Sequence, residues 1–166
     1  MSILWITGLA GSGKTTLADA VAAQLTDHHS GGIVRIDGDS VRAELGDAGR
    51  GYTREQRLAV AQQIAGRALE ASRAGQCAIV STISLFHAIH AHNRASGEDY
   101  FEVLLACDPS LRAQRLAARL PLHGPQVGGE IAPEFPLQPH LRVASDAGDA
   151  STLAQHVLDA WRQRHV

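Results

Sequence analysis

The sequence predicts a single α/β domain with three layers: an open parallel sheet of five strands, flanked on both faces by helices. Strand-like and helix-like segments alternate along the 166 residues, which is the pattern of repeated β-α-β units. Several strand-like segments are almost continuously apolar, as expected for parallel strands that are buried on both faces. A glycine-rich turn joins the first strand to the first helix.

The elements follow in order from hydrophobic periodicity and capping residues. Strands are predicted at 3–7, 33–36, 77–82, 100–106 and 141–144, and helices at 14–26, 40–45, 54–74, 85–95, 110–120 and 150–164. Thr53 and Gln56 have the spacing of a capping box at the start of the third long helix. Asp108 followed by Pro109 is typical of a helix start. In such a sheet, ligands bind beside the carboxyl ends of the strands.

The glycine-rich turn at residues 8–15 is a complete G-x-x-x-x-G-K-[ST] phosphate-binding loop. In this motif backbone N–H groups surround the phosphates, the lysine reaches the β- and γ-phosphates, and the Ser/Thr hydroxyl binds Mg²⁺. The fold expected is therefore that of P-loop nucleoside triphosphatases, in one domain over residues 1–166. The predicted nucleotide-binding residues are Gly8, Gly11, Ser12, Gly13, Lys14, Thr15 and Thr16, with Thr15 on the metal.

The composition argues against a nucleic-acid polymer or a membrane as a partner. The formal net charge is −2 and no basic stripe is present, so a nucleic-acid polymer is not expected. The longest apolar runs are too short for a membrane span. The first strand follows Met1 almost at once, so we expect no signal peptide and a cytoplasmic location. Cys77 and Cys107 are predicted to be reduced core thiols.

Three histidines, His87, His90 and His92, lie close together on a predicted helix. Their spacing does not place all three on one face, so a solvated helix face is favoured over a metal site. Residues 121–139 contain five prolines and three glycines, which excludes regular structure throughout. A loop of this length is typically a lid or a disordered insert, and we predict a substrate-covering lid at about 119–140.

Two carboxylates, Asp37 and Asp39, follow the second strand, at the edge where substrates bind. A phosphoryl-transfer enzyme needs groups that accept the proton of the acceptor hydroxyl and help to bind Mg²⁺, and these two can supply both. Arg42 could bind an anionic group of the acceptor. The structural alternative is an Asp-rich turn in which Asp39 or Ser40 caps the next helix.

Two absences narrow the function. The third strand ends without the Asp or Glu that motor and transporter ATPases carry, and no N-K-x-D guanine-binding motif occurs. Both favour a small-molecule kinase over a hydrolytic switch. A nucleotide-dependent switch or ATPase remains as an alternative class.

Six segments resemble the adenylyl-sulfate (APS) kinases, in order along almost the whole chain. They are residues 5–18, Asp37-Gly38-Asp39-Ser40-Val41-Arg42, 51–57, 79–84, 101–109 with Arg115, and 133–136 with Pro139. The resemblance implies ATP, Mg²⁺ and transfer to a ribose hydroxyl of a small nucleotide-like acceptor, with APS as the first candidate. It also suggests a homodimer.

The same resemblance implies roles for individual residues. Lys14, Asp37 and Asp39 would be catalytic, with Asp39 as proton acceptor and Asp37 near Mg²⁺. The acceptor would be bound at its anionic part by Arg42 and Arg57, at its base by Tyr52 and Phe135, and by Ser84 after the third strand; Arg115 would approach ATP.

The chain departs from the family pattern on the acceptor side. Val60-Ala61-Gln62-Gln63 stands where the family has Asn-x-Arg-Arg, residues 115–121 lack the family's basic stretch, and Val127-Gly128-Gly129 replaces Phe-Thr-Gly. Each lost charge-assisted hydrogen bond would cost on the order of 1.5–3 kcal/mol. The alternative is therefore a related kinase acting on another nucleotide-linked acceptor, for example a cytidine diphosphate derivative.

Overall fold

The computed structural model describes residues 2–25, 31–118 and 124–164. The strands are β1 (Ser2–Thr7), β2 (Ile33–Asp37), β3 (Cys77–Thr82), β4 (Asp99–Ala106) and β5 (Leu141–Ala144). The helices are α1 (Lys14–Leu25), α2 (Gly38–Glu44), α3 (Arg54–Arg73), α4 (His87–Arg94), α5 (Pro109–Ala117) and α6 (Ala150–Gln163), with a 3₁₀ helix at Gly46–Gly49. Every predicted element is present. The predicted helical residues Thr26, Arg119 and Leu120 lie outside the described residues.

The sheet is parallel throughout, with the strand order β2-β3-β1-β4-β5. This confirms the predicted five-stranded parallel sheet. β1 lies in the centre, so the glycine-rich loop that follows it emerges from the middle of the carboxyl edge. β2 lies at one side of the sheet, and its last residue, Asp37, is in register with Ser81 of β3.

Each face of the sheet is covered by its own hydrophobic cluster. On one face, α1 and α6 pack on the sheet through residues such as Leu17, Val21 and Trp161. On the other face, α3 contributes Val60 and Ile64. Burial on both faces explains the apolar strands, because each fully buried aliphatic side chain contributes about 1.5–3 kcal/mol.

Both predicted helix-start motifs are present, but three helices begin at other residues than predicted: α2 at Gly38, α4 at His87 and α5 at Pro109. Thr53 and Gln56 form the complete capping box of α3, and Asp108 caps α5 with Pro109 in its first turn. The helix after β2, however, begins at Gly38 rather than at residue 40. Its cap is Asp37, whose side chain accepts from the backbone N–H groups of Asp39 and Ser40. The structural alternative, in which Asp39 or Ser40 caps this helix, is therefore wrong.

The histidine prediction is wrong for His90. His87 and His92 are exposed on α4, but His90 is buried. Its Nδ1 atom lies 2.7 Å from Oε1 of Glu102, a carboxylate in the middle of β4 whose side chain is fully buried. The physical reason is that a carboxylate buried within the sheet needs polar partners, and α4 supplies one.

Glu102 is the centre of a buried polar cluster, here called the Glu102 cluster: Glu102, His90, Arg94, Tyr100 and His140. Tyr100 Oη donates to Glu102 Oε1 at 2.7 Å and Arg94 Nη2 donates to Oε2 at 2.5 Å. The Glu102 backbone N–H donates to His140 Nδ1 at 2.9 Å, and Arg94 also donates to the Gln138 carbonyl. The cluster therefore attaches the end of the proline-rich segment to β4 and α4.

The two cysteines differ. Cys77 is buried in β3, as predicted, and burial raises the pKa of its thiol. Cys107 is only partly buried and lies just beyond the end of β4, so its assignment to the core is wrong. Within residues 2–25, 31–118 and 124–164, no helix has both the length and the apolar character that crossing a membrane requires.

Candidate active site

The phosphate-binding loop is shaped by close backbone packing. A Cβ atom at Gly8 would lie 2.5 Å from the Leu105 carbonyl oxygen of β4, so only glycine lets the loop leave β1 at this point. Gly13, at φ +95°, has the left-handed conformation that turns the chain into α1. Lys14 is the first residue of α1, and its Nζ atom donates to the Leu9 carbonyl across the loop at 2.8 Å.

The loop has a buried polar atom that suits a phosphate. Ser12 is 1 % exposed, and among the described residues its hydroxyl has no hydrogen-bond partner. A buried unpaired hydroxyl is costly, and a phosphate oxygen above the loop would satisfy it. Lys14, two residues on, adds a positive charge at the start of α1, where backbone N–H groups and the helix dipole already favour an anion. The residues present therefore fit a bound triphosphate.

Asp37 connects the loop to the acid pair after β2. Its Oδ2 atom accepts from Thr15 Oγ1 at 3.0 Å and from Ser81 Oγ at 2.9 Å. Partial burial alone would raise the pKa of Asp37, but hydrogen bonds from Ser81, the Ser40 backbone and Thr15 lower it below its ordinary value. At neutral pH the carboxylate is therefore charged and beside the Thr15 hydroxyl. Together these two groups can offer oxygen ligands to Mg²⁺.

Within the described part of the chain, no three His, Cys, Asp or Glu side chains cluster in a way that could hold a metal ion. An Mg²⁺ ion at Thr15 and Asp37 would thus take most of its ligands from phosphate oxygens and water. That is the usual situation for Mg²⁺, which keeps several waters and binds proteins through one or two side chains.

One cleft of about 270 Å³ unites the loop with the acid pair and with α3. Asp39, two residues after Asp37, is exposed on the wall of the cleft. The cleft is lined by Gly11, Gly13, Lys14, Thr15, Thr16, Asp37, Asp39, Arg42, Tyr52, Arg57 and Ser84 from the predicted set. Residues as far apart in sequence as Gly11 and Ser84 thus meet at one edge of the sheet.

Four other predicted residues lie outside the lining of the cleft. Gly8 and Ser12 belong to the phosphate-binding loop and are buried within it. Arg115 lies behind it, where its Nη1 atom is 3.3 Å from the Ser12 carbonyl and 3.3 Å from Ser145 Oγ. Phe135 is 39 % exposed near the start of α4, where its carbonyl oxygen lies 3.0 Å from His87 Nε2.

Two arginines form the positively charged part of the cleft. Arg42 Nη1 donates to the carbonyls of Gly49 and Gly51, at 2.6 and 3.4 Å. The guanidinium of Arg57 lies 5.2 Å from the centre of the Phe86 ring, and its Nε atom is buried without a hydrogen-bond partner among the described residues. Burial, and then the charges of Arg42 and Arg54, lower the pKa of Arg57.

In the described part of the chain, no ion pair joins Arg42 or Arg57 to a carboxylate. The charge of Glu134 raises the pKa of Arg57 but does not cancel the lowering. Two mutually repelling cations that are not ion-paired favour binding of an anion, because the anion would relieve both the repulsion and the unpaired Nε atom.

Sequence reasoning missed several residues of the cleft. Ile64 of α3 is one of them, and with Val60 and Ala61, which the resemblance had already placed on the acceptor side, it forms an apolar wall beside Arg57. Ser81 and Thr82 line the floor at the end of β3. Ser81 could have been found, because aligning the carboxyl ends of two neighbouring parallel strands places it next to Asp37.

The loop after β3 is conformationally unusual. Ser84 has φ +29°, the only positive φ among the described non-glycine residues. Its hydroxyl lies 2.7 Å from Thr82 Oγ1, and Thr7 Oγ1 donates to the Ile83 carbonyl at 2.5 Å. Such strain is held in place by surrounding contacts and is common at functional sites. It also explains why α4 begins at His87, two residues later than predicted.

The proline-rich segment borders the cleft near the start of its described part. Pro125, Gln126 and Val127 are part of its lining. A Cβ atom at Gly124 would overlap the Tyr52 ring, and one at Gly128 would come within 2.8 Å of Leu9. Glu134 fixes the segment through Arg54 Nη2 at 2.6 Å and the His87 backbone N–H at 2.8 Å. The predicted lid residues 119–123 lie outside the described residues, and covering of a substrate stays a prediction.

The sequence of this chain is similar to those of known kinases. The family model described as adenylylsulphate kinase matches residues 1–122. The chain is 37% identical over 113 residues to the cytidine diphosphoramidate kinase of Campylobacter jejuni, a match that spans 68% of this chain but 65% of that protein. It is 31% identical over 172 aligned positions to the adenylyl-sulfate kinase of Chloroflexus aurantiacus, covering 99% of this chain and 90% of that protein.

A solved structure superposes on nearly the whole of this chain. The Mycobacterium tuberculosis APS kinase, in complex with AMPPNP and APS, superposes with a TM-score of 0.81, 26% sequence identity and 97% of each chain covered. The match to the family model extends over the phosphate-binding loop, the acid pair, α3 and β4. On this evidence, the chain belongs to the adenylylsulphate kinase family.

Proposed function

We propose that this protein is an ATP-dependent kinase that phosphorylates a ribose hydroxyl of a small nucleotide-like acceptor, with adenylyl sulfate as the first candidate. The observation that carries the proposal is the hydrogen-bonded contact of Asp37 with both Thr15 and Ser81. It joins the phosphate-binding loop to the side of the cleft that holds Arg42 and Arg57. One cleft therefore has a place for a triphosphate and a separate place for an anionic acceptor.

On the donor side, bound MgATP would supply the phosphoryl group that is transferred. Lys14 and the loop N–H groups would bind the phosphates, and the Ser12 hydroxyl would gain the partner that it lacks. The Thr15 hydroxyl and the charged Asp37 would bind Mg²⁺. Arg115, which contacts the Ser12 carbonyl from behind, would keep the loop in shape near the nucleotide.

On the acceptor side, Asp39 would receive the proton. The acceptor hydroxyl oxygen forms a bond to the γ-phosphorus while the bond from that phosphorus to the β,γ-bridging oxygen breaks, so that ADP leaves and the hydroxyl proton passes to Asp39. Most of the rate gain would come from positioning and from neutralisation of charge. Asp39 is exposed on the cleft wall, as a group that meets an entering substrate must be.

The acceptor would be held by groups of three kinds. Arg42 and Arg57 would bind its anionic part, which removes their mutual repulsion. Tyr52, 42 % exposed at the mouth, offers an aromatic face to a base, and Phe135 could do so only after moving in from the rim. Ser84 would contact the acceptor from the loop after β3. The name of the Chloroflexus relative, an adenylyl-sulfate kinase, supports APS as the acceptor.

One observation favours a second candidate, a kinase for another nucleotide-linked acceptor such as a cytidine diphosphate derivative. The wall of Val60, Ala61 and Ile64 offers no side-chain hydrogen bond to the acceptor. A polar acceptor group placed against it would lose its water without compensation. The name of the Campylobacter relative, a cytidine diphosphoramidate kinase that is 37% identical to this chain over 113 residues, supports this second candidate.

A panel of acceptors separates the candidates. Purified protein with MgATP would be offered APS, CDP derivatives and unmodified nucleotides, and the phosphorylated products would be identified by mass spectrometry. Turnover of APS supports the first candidate, and turnover of a cytidine compound without turnover of APS supports the second. ATP hydrolysis that no acceptor stimulates would contradict both.

Two variants test the residue assignments in the same assay. Lys14→Ala should abolish transfer, because a phosphate contact at the transferred group is lost. Asp39→Asn should lower kcat by roughly 10²–10⁴-fold with ATP binding unchanged. A change confined to ATP affinity would exclude Asp39 as the proton acceptor.

A further inference from the structure

The end of β3 lacks the carboxylate that motor and transporter ATPases carry on this strand, and its last two residues are Ser81 and Thr82. In nucleotide-hydrolysing enzymes with a phosphate-binding loop, such a carboxylate and the Ser/Thr of the loop hold Mg²⁺ together. β3 lies between β1, which leads into the loop, and β2. The carboxylate that contacts the loop in this chain, Asp37, is therefore one strand further from it.

Ser81 lies between the loop and that carboxylate. It is in register with Ile6 of β1 on one side and with Asp37 of β2 on the other. Because β1 and β2 are two strand spacings apart, about 10 Å, the short side chain of Asp37 reaches Thr15 only by crossing the end of β3. There its Oδ2 atom accepts from Ser81 Oγ at 2.9 Å and from Thr15 Oγ1 at 3.0 Å.

The two carboxylate oxygens of Asp37 have separate contacts. Oδ1 accepts from the backbone N–H groups of Asp39 and Ser40, at 3.1 Å each, and so caps α2. Oδ2 accepts from Ser81 and Thr15. Thr15 is exposed, whereas Ser81 is 2 % exposed and held within the sheet. Ser81 is thus the rigid donor that sets the direction of Oδ2.

The Ser81 hydroxyl also lines the cleft. A serine hydroxyl that donates one hydrogen bond keeps its acceptor lone pairs, so this oxygen can also accept from a water molecule in the cleft. Mg²⁺ keeps several waters when it binds to proteins. The hydroxyl is therefore suited to hold both a metal-binding side chain and a water of the metal.

We propose that Ser81 is a positioning residue for the metal of the phosphate donor: it holds Asp37 against Thr15, so that a carboxylate on β2 serves in place of one on β3. This rests on the donor side of the proposed function. Groups that hydrogen-bond to metal-binding side chains orient them and tune the affinity for the metal. Binding of the nucleotide with Mg²⁺, but not of the nucleotide alone, accordingly depends on the Ser81 hydroxyl.

The test compares Ser81→Ala with Ser72→Ala. Ser72 is also a buried serine whose hydroxyl donates to a carboxylate, that of Glu98 at 2.6 Å, but it is on α3 and outside the lining of the cleft. The affinity for AMPPNP would be measured by calorimetry with Mg²⁺ and with EDTA, and the ratio of the two affinities reports the contribution of the metal. Ser81→Thr, which keeps the hydroxyl, is the conservative variant.

Ser81→Ala should lower this ratio roughly tenfold, the lower end of the usual effect of losing a group that orients a metal ligand. Ser81→Thr and Ser72→Ala should leave the ratio unchanged. An equal loss of affinity with and without Mg²⁺, no loss, or a loss of the same size in Ser81→Thr would overturn the role of Ser81 and leave the proposed function intact.

A second variant covers the case in which Ser81→Ala does not fold, as judged by its melting temperature. Ser81→Cys places a weaker donor at the same position, so the ratio should fall in the same direction, and an unchanged ratio would overturn the proposal. If the unmodified protein did not bind AMPPNP in the presence of Mg²⁺, the proposed function and the role of Ser81 would both be refuted.

Discussion

Asp37 and Glu102 are carboxylates of the same sheet that are used in different ways. Both have a pKa below the ordinary value, because hydrogen bonds outweigh the effect of burial. Asp37 is at the carboxyl end of β2 and borders the cleft, whereas Glu102 is fully buried in β4. A lowered pKa therefore does not distinguish a site residue from a structural one in this fold. Contact with the cleft does distinguish them, because Asp37 lines the cleft and Glu102 does not. The two residues should therefore respond differently to substitution.

The largest effect is expected at Glu102. Glu102→Ala would leave Arg94 without its buried partner, and breaking such a pair costs about 3–5 kcal/mol. The free energy of unfolding, from urea titration, should fall by that amount. Glu102→Gln keeps the shape and two hydrogen-bonding atoms, so its loss should be smaller. A loss below about 1 kcal/mol in the alanine variant would show that the cluster is not structural.

At Asp37 the expected loss is in activity. Asn caps helices as well as Asp, so Asp37→Asn removes the charge while α2 keeps its cap. Kinase turnover should fall roughly 100-fold, since a charged group beside the transferred phosphate is lost, with the melting temperature nearly unchanged. Ser81→Ala, which removes one hydrogen bond to the same carboxylate, serves as a milder comparison. A parallel fall in melting temperature and turnover would make Asp37 a structural residue like Glu102.

Acid pH tests the lowered pKa of Glu102. A carboxylate with a lowered pKa binds fewer protons in the folded than in the unfolded state, so it stabilises the protein above the ordinary pKa of about 4. That contribution is lost as the pH falls through the lowered pKa. Glu102→Gln should therefore flatten the fall in stability below about pH 4.3, measured by urea unfolding at several pH values. An unchanged acid profile would contradict the lowered pKa of Glu102.

The smallest expected effect is at His140. Its ring stacks on Phe101 at 5.4 Å between centroids, and Nδ1 accepts from the Glu102 backbone N–H. Burial, and then the charges of Arg164 and Arg94, lower the pKa of His140, so the ring is neutral at pH 7 and able to accept. His140→Ala should cost about 1–2 kcal/mol, whereas His140→Asn, with an acceptor oxygen, should cost less. Equal losses in both variants would show that the ring stacking, not the hydrogen bond, matters.

What could be predicted from the sequence was local or periodic. The phosphate-binding loop occupies eight consecutive residues, so its spacing is sufficient, and the parallel sheet follows from repeated β-α-β units. The strand order, in which β3 lies between β1 and β2, was not predicted. Asp37 was placed at the cleft edge because a strand ends there. Its role as cap of α2 was missed, since Gly38 was assigned to a turn and not to the first residue of a helix.

The Glu102 cluster could not be predicted, because its members come from three separate segments. His90 lies on α4 between two exposed histidines, His87 and His92, and His140 follows a proline-rich stretch. The one available signal was Glu102 itself, a single charge in an otherwise apolar buried strand, which must have partners. Nothing in the sequence says which residues they are. The position of Ile64 in the apolar wall was hidden for a similar reason, since core-facing residues of a helix look alike whether or not they border a cleft.

The position of β2 at the side of the sheet has a consequence for how this enzyme class can diversify. β1, which leads into the phosphate-binding loop, is enclosed by two neighbours, so insertions around it would disrupt the sheet. β2 has a neighbour on one side only, and the short segments after it can lengthen or shorten without disturbing strand pairing. Exchange of residues 38–52 with those of a relative should therefore change the acceptor side of the cleft and leave the phosphate-binding loop as it is.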